Sequence, residues 1–249
     1  MLEATAAAED AHFWFLHLRR TAESMLRTAL AGITPRLIVD CGAGTGRNLD
    51  WLSTFGPAVG VERSEIGLLE GRKRARRMLK ASVTHLPFAD GAADLVTSFD
   101  VLYCLDDIAE RQAIREMYRI LANDGVAVVN AAALDILRGS HSVLTHEQRR
   151  YTRGRLARSL EDAGFTIERL TYTNMMTFPL ALAVRLGERM TGRASTASDA
   201  DLRTPAAPIN AILNGALGLE HALLKAIDLP VGTSVLAIAR KNERGVRRP

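Results

Sequence analysis

Leu37-Ile38-Val39-Asp40-Cys41-Gly42-Ala43-Gly44-Thr45-Gly46-Arg47-Asn48-Leu49 is an apolar run that ends in an acid and then breaks into three alternating glycines. The residues before Asp40 read as a buried strand, the glycines as a tight turn, and Arg47 onward as a helix start. That order of elements lets backbone N–H groups come close to a bound nucleotide. The spacing narrows the choice. A dinucleotide turn is G-x-G-x-x-G, whereas Gly42, Gly44 and Gly46 fall as G-x-G-x-G directly after Asp40.

Working outward, the spacing predicts helices over 11–31, 47–55 and 65–80, and strands over 37–40, 58–62, 81–83 and 94–99. Asp106 or Asp107 caps a helix that ends near Leu121, and Asn123-Asp124-Gly125 supplies a turn into a β-branched strand over 126–130. Thr152 caps a helix that stops at Gly164, before strands over 166–171 and 234–239. Strands alternating with helices imply an α/β fold, a doubly wound, mostly parallel seven-stranded sheet with its ligand site at the carboxyl ends of the strands.

The alternation breaks between Thr173 and Pro230, where an amphipathic helix over 178–190, a Gly/Ser/Thr/Ala/Pro-rich stretch over 191–208 and a mostly apolar helix over 208–229 follow one another. The expected organisation is an N-terminal helical cap over 1–33, a domain over 34–241 that includes the helical insertion 174–230, and a flexible tail over 242–249.

With 47% apolar and 24% charged residues, the chain can bury a sizeable core. Residues 1–10 are acidic and alanine-rich, unlike a secretory leader, and no stretch reaches the roughly 20 apolar residues of a membrane span. Cys41 and Cys104 lie far apart with no zinc-ligand spacing, which suggests a reducing, cytoplasmic setting and no metal. The net charge is only +4, but Arg72 to Lys80 and Arg149 to Arg158 are locally dense in basic residues. Each run is either a solvated helix face or a phosphate-attracting patch.

Several stations in order resemble the class I S-adenosylmethionine (AdoMet)-dependent methyltransferases. The Asp40 to Gly46 turn resembles their first motif, and Glu62 in Gly60-Val61-Glu62-Arg63-Ser64 matches the acid that accepts both ribose hydroxyls. Ala81 to Phe88 resembles the strand-three motif that ends in L-P-F, with Ser82 where an acid is usual, and Ser98 to Cys104 matches the strand-four station. His12-Phe13-Trp14-Phe15 with Arg19-Arg20, and Ser140-His141-Ser142 with His146 and Arg149-Arg150-Tyr151-Thr152, resemble segments of a bacterial subgroup. The resemblance implies AdoMet as cofactor, held by Asp40, Gly42, Ala43, Gly44, Gly46, Asn48, Glu62, Arg63, Ser82, Val83, Ser98 and Phe99. Trp14 either closes over the sulfonium with Phe13 or packs its helix to the core.

The implied reaction is methyl transfer to a small or lipid-like acceptor, at oxygen. His141, His146 and Tyr103 are the candidate acid/base residues, the histidines because their pKa lies near operating pH. Arg149, Arg150 and Tyr151 are candidates for holding an anionic acceptor. The two insertion helices either form a lid or acceptor pocket, lie peripherally on a membrane, or make a dimer face. Two other readings stand beside this one. In the first, a nucleic-acid methyltransferase uses the arginine-rich runs, although the chain has no N-P-P-Y-type tetrapeptide after strand four. In the second, a catalytically silent AdoMet-binding protein serves as a partner subunit.

Overall fold

The computed structural model describes residues 2–242 apart from 193, 195, 197 and 199. The expected tail therefore lies almost wholly outside the described residues. Seven strands form one sheet: β1 (Ile38–Cys41), β2 (Ala58–Glu62), β3 (Met78–Lys80), β4 (Ala93–Phe99), β5 (Leu121–Ala132), β6 (Phe165–Thr173) and β7 (Ser234–Lys241). Their order is β3-β2-β1-β4-β5-β7-β6. β1 to β5 pair in parallel, and the buried runs Ile38–Cys41 and Val126–Ala131 show why they read as continuous apolar stretches. The sheet is mixed rather than wholly parallel, because β7 enters between β5 and β6 and runs antiparallel to both.

The helices are α1 (Leu2–Ala8), α2 (Phe13–Leu30), α3 (Asn48–Leu52), α4 (Glu65–Lys73), α5 (Asp107–Ile120), α6 (Ser140–Leu144), α7 (Arg153–Glu161), α8 (Phe178–Met190) and α9 (Ala207–Leu224). α2 packs on α3 and α9, while α5 packs on α7. Asp106 caps α5 by accepting from the backbone N–H groups of Ile108 and Ala109, as the sequence leads one to expect.

Several boundaries differ from the sequence reading. Residues 2–8 form α1, a helix the alanine-rich start did not suggest. The helix expected over 65–80 stops at Lys73, Ala75 takes a left-handed backbone (φ 55°), and the third strand is Met78–Lys80 rather than 81–83. Pairing with Gly60 to Glu62 sets that register, and β2 has ended by the time the chain reaches Ser82. Residues 123–125 are absorbed into β5 as an irregularity with Asp124 at φ 60°, opposite the register shift between Ala93 and Leu95. The helices expected over 47–55 and 208–229 are shorter, and the second ends at Leu224.

Candidate active site

At the carboxyl end of β1 the chain must reverse over β2, and the glycines let it do so. Gly42 and Ala43 donate from their backbone N–H groups to Val61 O (2.8 and 2.9 Å). Gly42 has φ +79°, and a Cβ there would stand 2.3 Å from Val101 Cγ2, so only glycine fits between the turn and the end of β4. α4 approaches as closely, since a Cβ on Gly67 would stand 2.4 Å from Gly44 O.

Glu62, at the end of β2, is oriented by this turn. Its Oε2 accepts from Gly44 N (2.8 Å), and its Oε1 from Arg63 N (2.8 Å) and Ser64 N (2.7 Å). Acceptor capacity remains on Oε2. Asp40 is 1% exposed and accepts from Thr97 Oγ1 at Oδ1 (2.6 Å), while its Oδ2 is buried without a hydrogen-bond partner among the described residues. Burial, with the nearby Glu62 charge adding to it, pushes the Asp40 carboxyl up to about 7.

The N-terminal segment covers this turn. A Cβ on Gly44 would lie 3.5 Å from Leu2 Cδ2. Glu9, 3% exposed, accepts from Thr45 Oγ1 (2.6 Å), and Asp10 pairs with Arg47 and Arg74. Arg76 is buried against Asp50 and Thr45 O. Trp14 stands in the first turn of α2, edge-on to Phe15 with centroids 4.9 Å apart. Asn48 accepts from Trp51 Nε1 (3.2 Å).

After β3 the Ser82 hydroxyl is engaged locally with Thr84, through its Oγ1 (2.8 Å) and its N–H (3.2 Å). Val83 is half-buried beside it. The Leu86-Pro87-Phe88 loop is pinned from α5: Glu116 accepts from Leu86 N (2.7 Å), and Arg119 donates to Leu86 O and Phe88 O.

β4 ends in Ser98, buried, and Phe99, whose ring stands edge-on to Trp51 at 6.1 Å. Asp100 follows with a left-handed backbone (φ 60°), fixed by its N–H donating to Asn130 O (3.0 Å). Asn130 Nδ2 donates to both carboxylate oxygens of Asp100 (3.1 and 3.0 Å). Burial pushes the Asp100 carboxyl up to about 7, against the lowering effects of Asn130 and Arg150. Burial likewise holds the Tyr103 phenol well above its ordinary value and pushes the Cys104 thiol to about 12, where it is unreactive near neutrality.

The loop after β5 folds against this station, with Gln148 N donating to Tyr103 O (2.8 Å) and Cys104 Sγ donating to Thr145 O (3.3 Å). A cleft of about 520 Å³ opens between this loop and the end of α8, lined by Arg138, Ser142, His146, Glu147 and Arg189 among others. His146 borders that cleft with a left-handed backbone (φ 53°), whereas His141 lies within α6 and outside the cleft lining.

The three expected acceptor contacts have internal partners. Arg149 pairs with Glu110 and Asp107, and Arg150 with Glu147 (2.8 Å). Tyr151 is fully buried and donates to Glu110 Oε1 (2.7 Å), which places it in the core rather than on a surface an acceptor reaches. Arg76, Arg149 and Arg150 are thus spent on internal ion pairs, while Arg72, Lys73, Arg74, Arg77, Lys80, Arg153 and Arg158 remain exposed. Sequence reasoning missed Glu9, Asp100 and Asn130. The available signal for Asp100 was that β4, like β1 and β2, leads into an acid.

The sheet order, the glycine turn and the acid closing β2 define a nucleotide-binding α/β protein of methyltransferase type. A methyltransferase domain family matches residues 39–129. Malonyl-[acyl-carrier protein] O-methyltransferase of Geobacter sulfurreducens is 29% identical over 168 residues, 59% of this chain and 62% of that protein. The chain spans less than two thirds of the length of the curated relatives it matches. Among solved structures, a possible histamine N-methyltransferase from Thermotoga maritima superposes with a TM-score of 0.59 at 22% identity, over 92% of this chain and 93% of that one. The 1,6-didemethyltoxoflavin-N1-methyltransferase of Burkholderia thailandensis, solved with 1,6-didemethyltoxoflavin and S-adenosylhomocysteine bound, superposes with a TM-score of 0.55 at 17% identity, over 90% of this chain and 78% of that one. Residues 39–129 thus match a methyltransferase domain, and the chain as a whole is similar in fold to AdoMet-dependent methyltransferases.

The residues present fit that cofactor. AdoMet carries an ammonium and a sulfonium, and the buried Asp40 Oδ2 without a partner, together with the oriented Glu62 carboxylate, offers acceptors beside a turn that tolerates no Cβ at Gly42.

Proposed function

We propose that the protein transfers the methyl group of AdoMet to an oxygen of a small or lipid-like acceptor. The observation that carries this reading is the Asp100 carboxyl, held at both oxygens by Asn130 and adjacent to Val101, which packs over Gly42 in the glycine turn. When bound, AdoMet supplies a methyl carbon made electrophilic by the attached sulfonium. The chain then has to hold an acceptor oxygen in line and, for a hydroxyl, take up its proton.

Asp100, raised to about 7, changes protonation near neutrality and serves as that proton acceptor. Tyr103 keeps its proton and orients the acceptor by hydrogen bonding. Asp40, Glu62 and the backbone of Gly42, Ala43, Gly44 and Gly46 hold the cofactor, with Ser82 and Val83 at its adenine end. His146, with Arg138 and Arg189, receives an anionic part of the acceptor in the 520 Å³ cleft. The O-methyltransferase relative supports oxygen as the acceptor atom.

The test is to incubate purified protein with methyl-labelled AdoMet and four acceptor types: malonyl-acyl-carrier protein, free fatty acids, phenols and primary amines. Products are read by mass spectrometry. Label on an oxygen acceptor is expected. Label on the amines alone, or no product from protein that binds AdoMet by calorimetry, overturns the reading.

A further inference from the structure

α9 is apolar on both sides. Its inner side buries Leu217 and Leu224, together with Glu220, whose carboxylate is taken up by His17 Nε2 (3.1 Å) and the backbone N–H groups of Asn174 and Met176. On the outer side, Ile209, Ile212, Leu219 and Leu223 are 53, 71, 67 and 40% exposed, and Ile227 just beyond the helix is 53% exposed. A Cβ added at Gly215 or Gly218 would meet nothing within 4 Å. The strip is therefore uncovered along the 18 residues of the helix, roughly 27 Å. α8 also exposes Leu180, Val184, Leu186 and Met190, although these do not fall in one row. A helix that is apolar all round is normally covered, and an exposed row of this size marks a docking surface.

Charge selects the occupant. The single acid of α9, Glu220, is buried, and Asp228 just past it is paired with Arg169 (2.8 Å). Arg20 and Lys225, both exposed, stand close enough to His221 on α9 for their charges to act on it. An apolar strip with a cationic border, whose one exposed carboxylate among the described residues, Asp228, is already paired with Arg169, complements anionic lipid headgroups. Pairing the face with itself across a two-fold axis would offer each cationic border only Asp228, which Arg169 already answers. No described helix is long and apolar enough to cross a membrane.

We infer that the outer side of α9 forms a face that lies in the plane of an anionic lipid bilayer. The face binds independently of which acceptor is methylated.

Flotation of the full chain with vesicles tests this. Vesicles of phosphatidylcholine containing phosphatidylglycerol should carry the protein. Phosphatidylcholine alone should carry at least about tenfold less, and added salt should weaken binding further. The double substitution Ile212→Glu with Leu219→Glu should abolish flotation while leaving the melting temperature and AdoMet affinity unchanged. Arg20→Glu with Lys225→Glu should remove the preference for the anionic vesicles. Absence of flotation in both vesicle types, or flotation unaltered by the Ile212 and Leu219 changes, overturns the inference. So does a dimer by light scattering that Ile212→Glu dissociates and that does not bind vesicles, an outcome that assigns the face to a second copy.

Discussion

Thr45 Oγ1 donates a 2.6 Å hydrogen bond to Glu9 Oε2, which ties the end of the N-terminal helical segment to the middle of the glycine turn. The glycine turn is therefore held on one side by residues that precede the sheet in sequence, and on another by Arg76 Nη1 donating to Thr45 O (2.9 Å).

Breaking that tie should act on cofactor exchange. Glu9→Ala removes a buried acceptor, leaves the Thr45 hydroxyl without its partner and should cost about 1–3 kcal/mol of stability. AdoMet should both enter and leave faster, as read by stopped-flow tryptophan fluorescence. Unchanged rates in a folded Glu9→Ala protein would show that the segment does not gate the site.

Gly42→Ala should be among the most damaging single substitutions. It combines a left-handed backbone with a Cβ 2.3 Å from Val101 Cγ2, at a cost of about 1–3 kcal/mol, and it displaces the turn. AdoMet affinity measured by calorimetry should fall more than tenfold. Because the clash is with a side chain, adding Val101→Ala should recover part of the loss.

Replacing Glu62 separates two jobs. Glu62→Gln keeps an acceptor for some of the backbone N–H groups of Gly44, Arg63 and Ser64, whereas Glu62→Ala keeps none. Weakening of AdoMet binding should be roughly tenfold, about 1.4 kcal/mol, or more for Glu62→Ala and smaller for Glu62→Gln. Equal affinity in all three proteins would remove Glu62 from the cofactor site.

Asp100 gives a pH signature. Its carboxyl keeps a proton to about 7 when folded, against an ordinary value of 3.8 in the unfolded chain, so its favourable contribution is complete below about 4 and is lost as pH rises through 7. In urea unfolding, Asp100→Asn should gain on the native protein by on the order of 1–3 kcal/mol between those limits, because it has no proton to lose. Methyl transfer to a hydroxyl should show the opposite trend, with the native rate rising toward pH 7 and the Asp100→Asn rate low and flat. A constant stability difference across the range would place the Asp100 carboxyl in an ordinary solvated setting.

The sequence was most legible where one local rule governs. The glycine turn, the acid at the end of β2, the Asp106 cap and α8, expected over 178–190 and found as Phe178–Met190, each follow from spacing or capping within a few residues. β3 was misplaced because an edge strand of three residues, Met78-Leu79-Lys80, carries no alternation and takes its register from β2. Strand direction is invisible to hydrophobic periodicity, so the reversal of β7 had no local sign. Asp100 gained its role only when folding brought Asn130 against it, and Tyr151 lost its expected one when folding brought Glu110 to its hydroxyl.

The reversal of β7 also decides where the molecule can vary. Because β6 and β7 run in opposite directions, Thr173 and Ser234 are paired neighbours on the same sheet edge as the glycine turn. The whole stretch between them is in effect a hairpin turn grown into two helices, with both feet planted at the carboxyl end of β5. Such a stretch can lengthen, shorten or change its surface without shifting any strand that carries Asp40, Glu62 or Asp100. Acceptor choice and docking can therefore diverge between relatives while the methyl-donor half stays fixed.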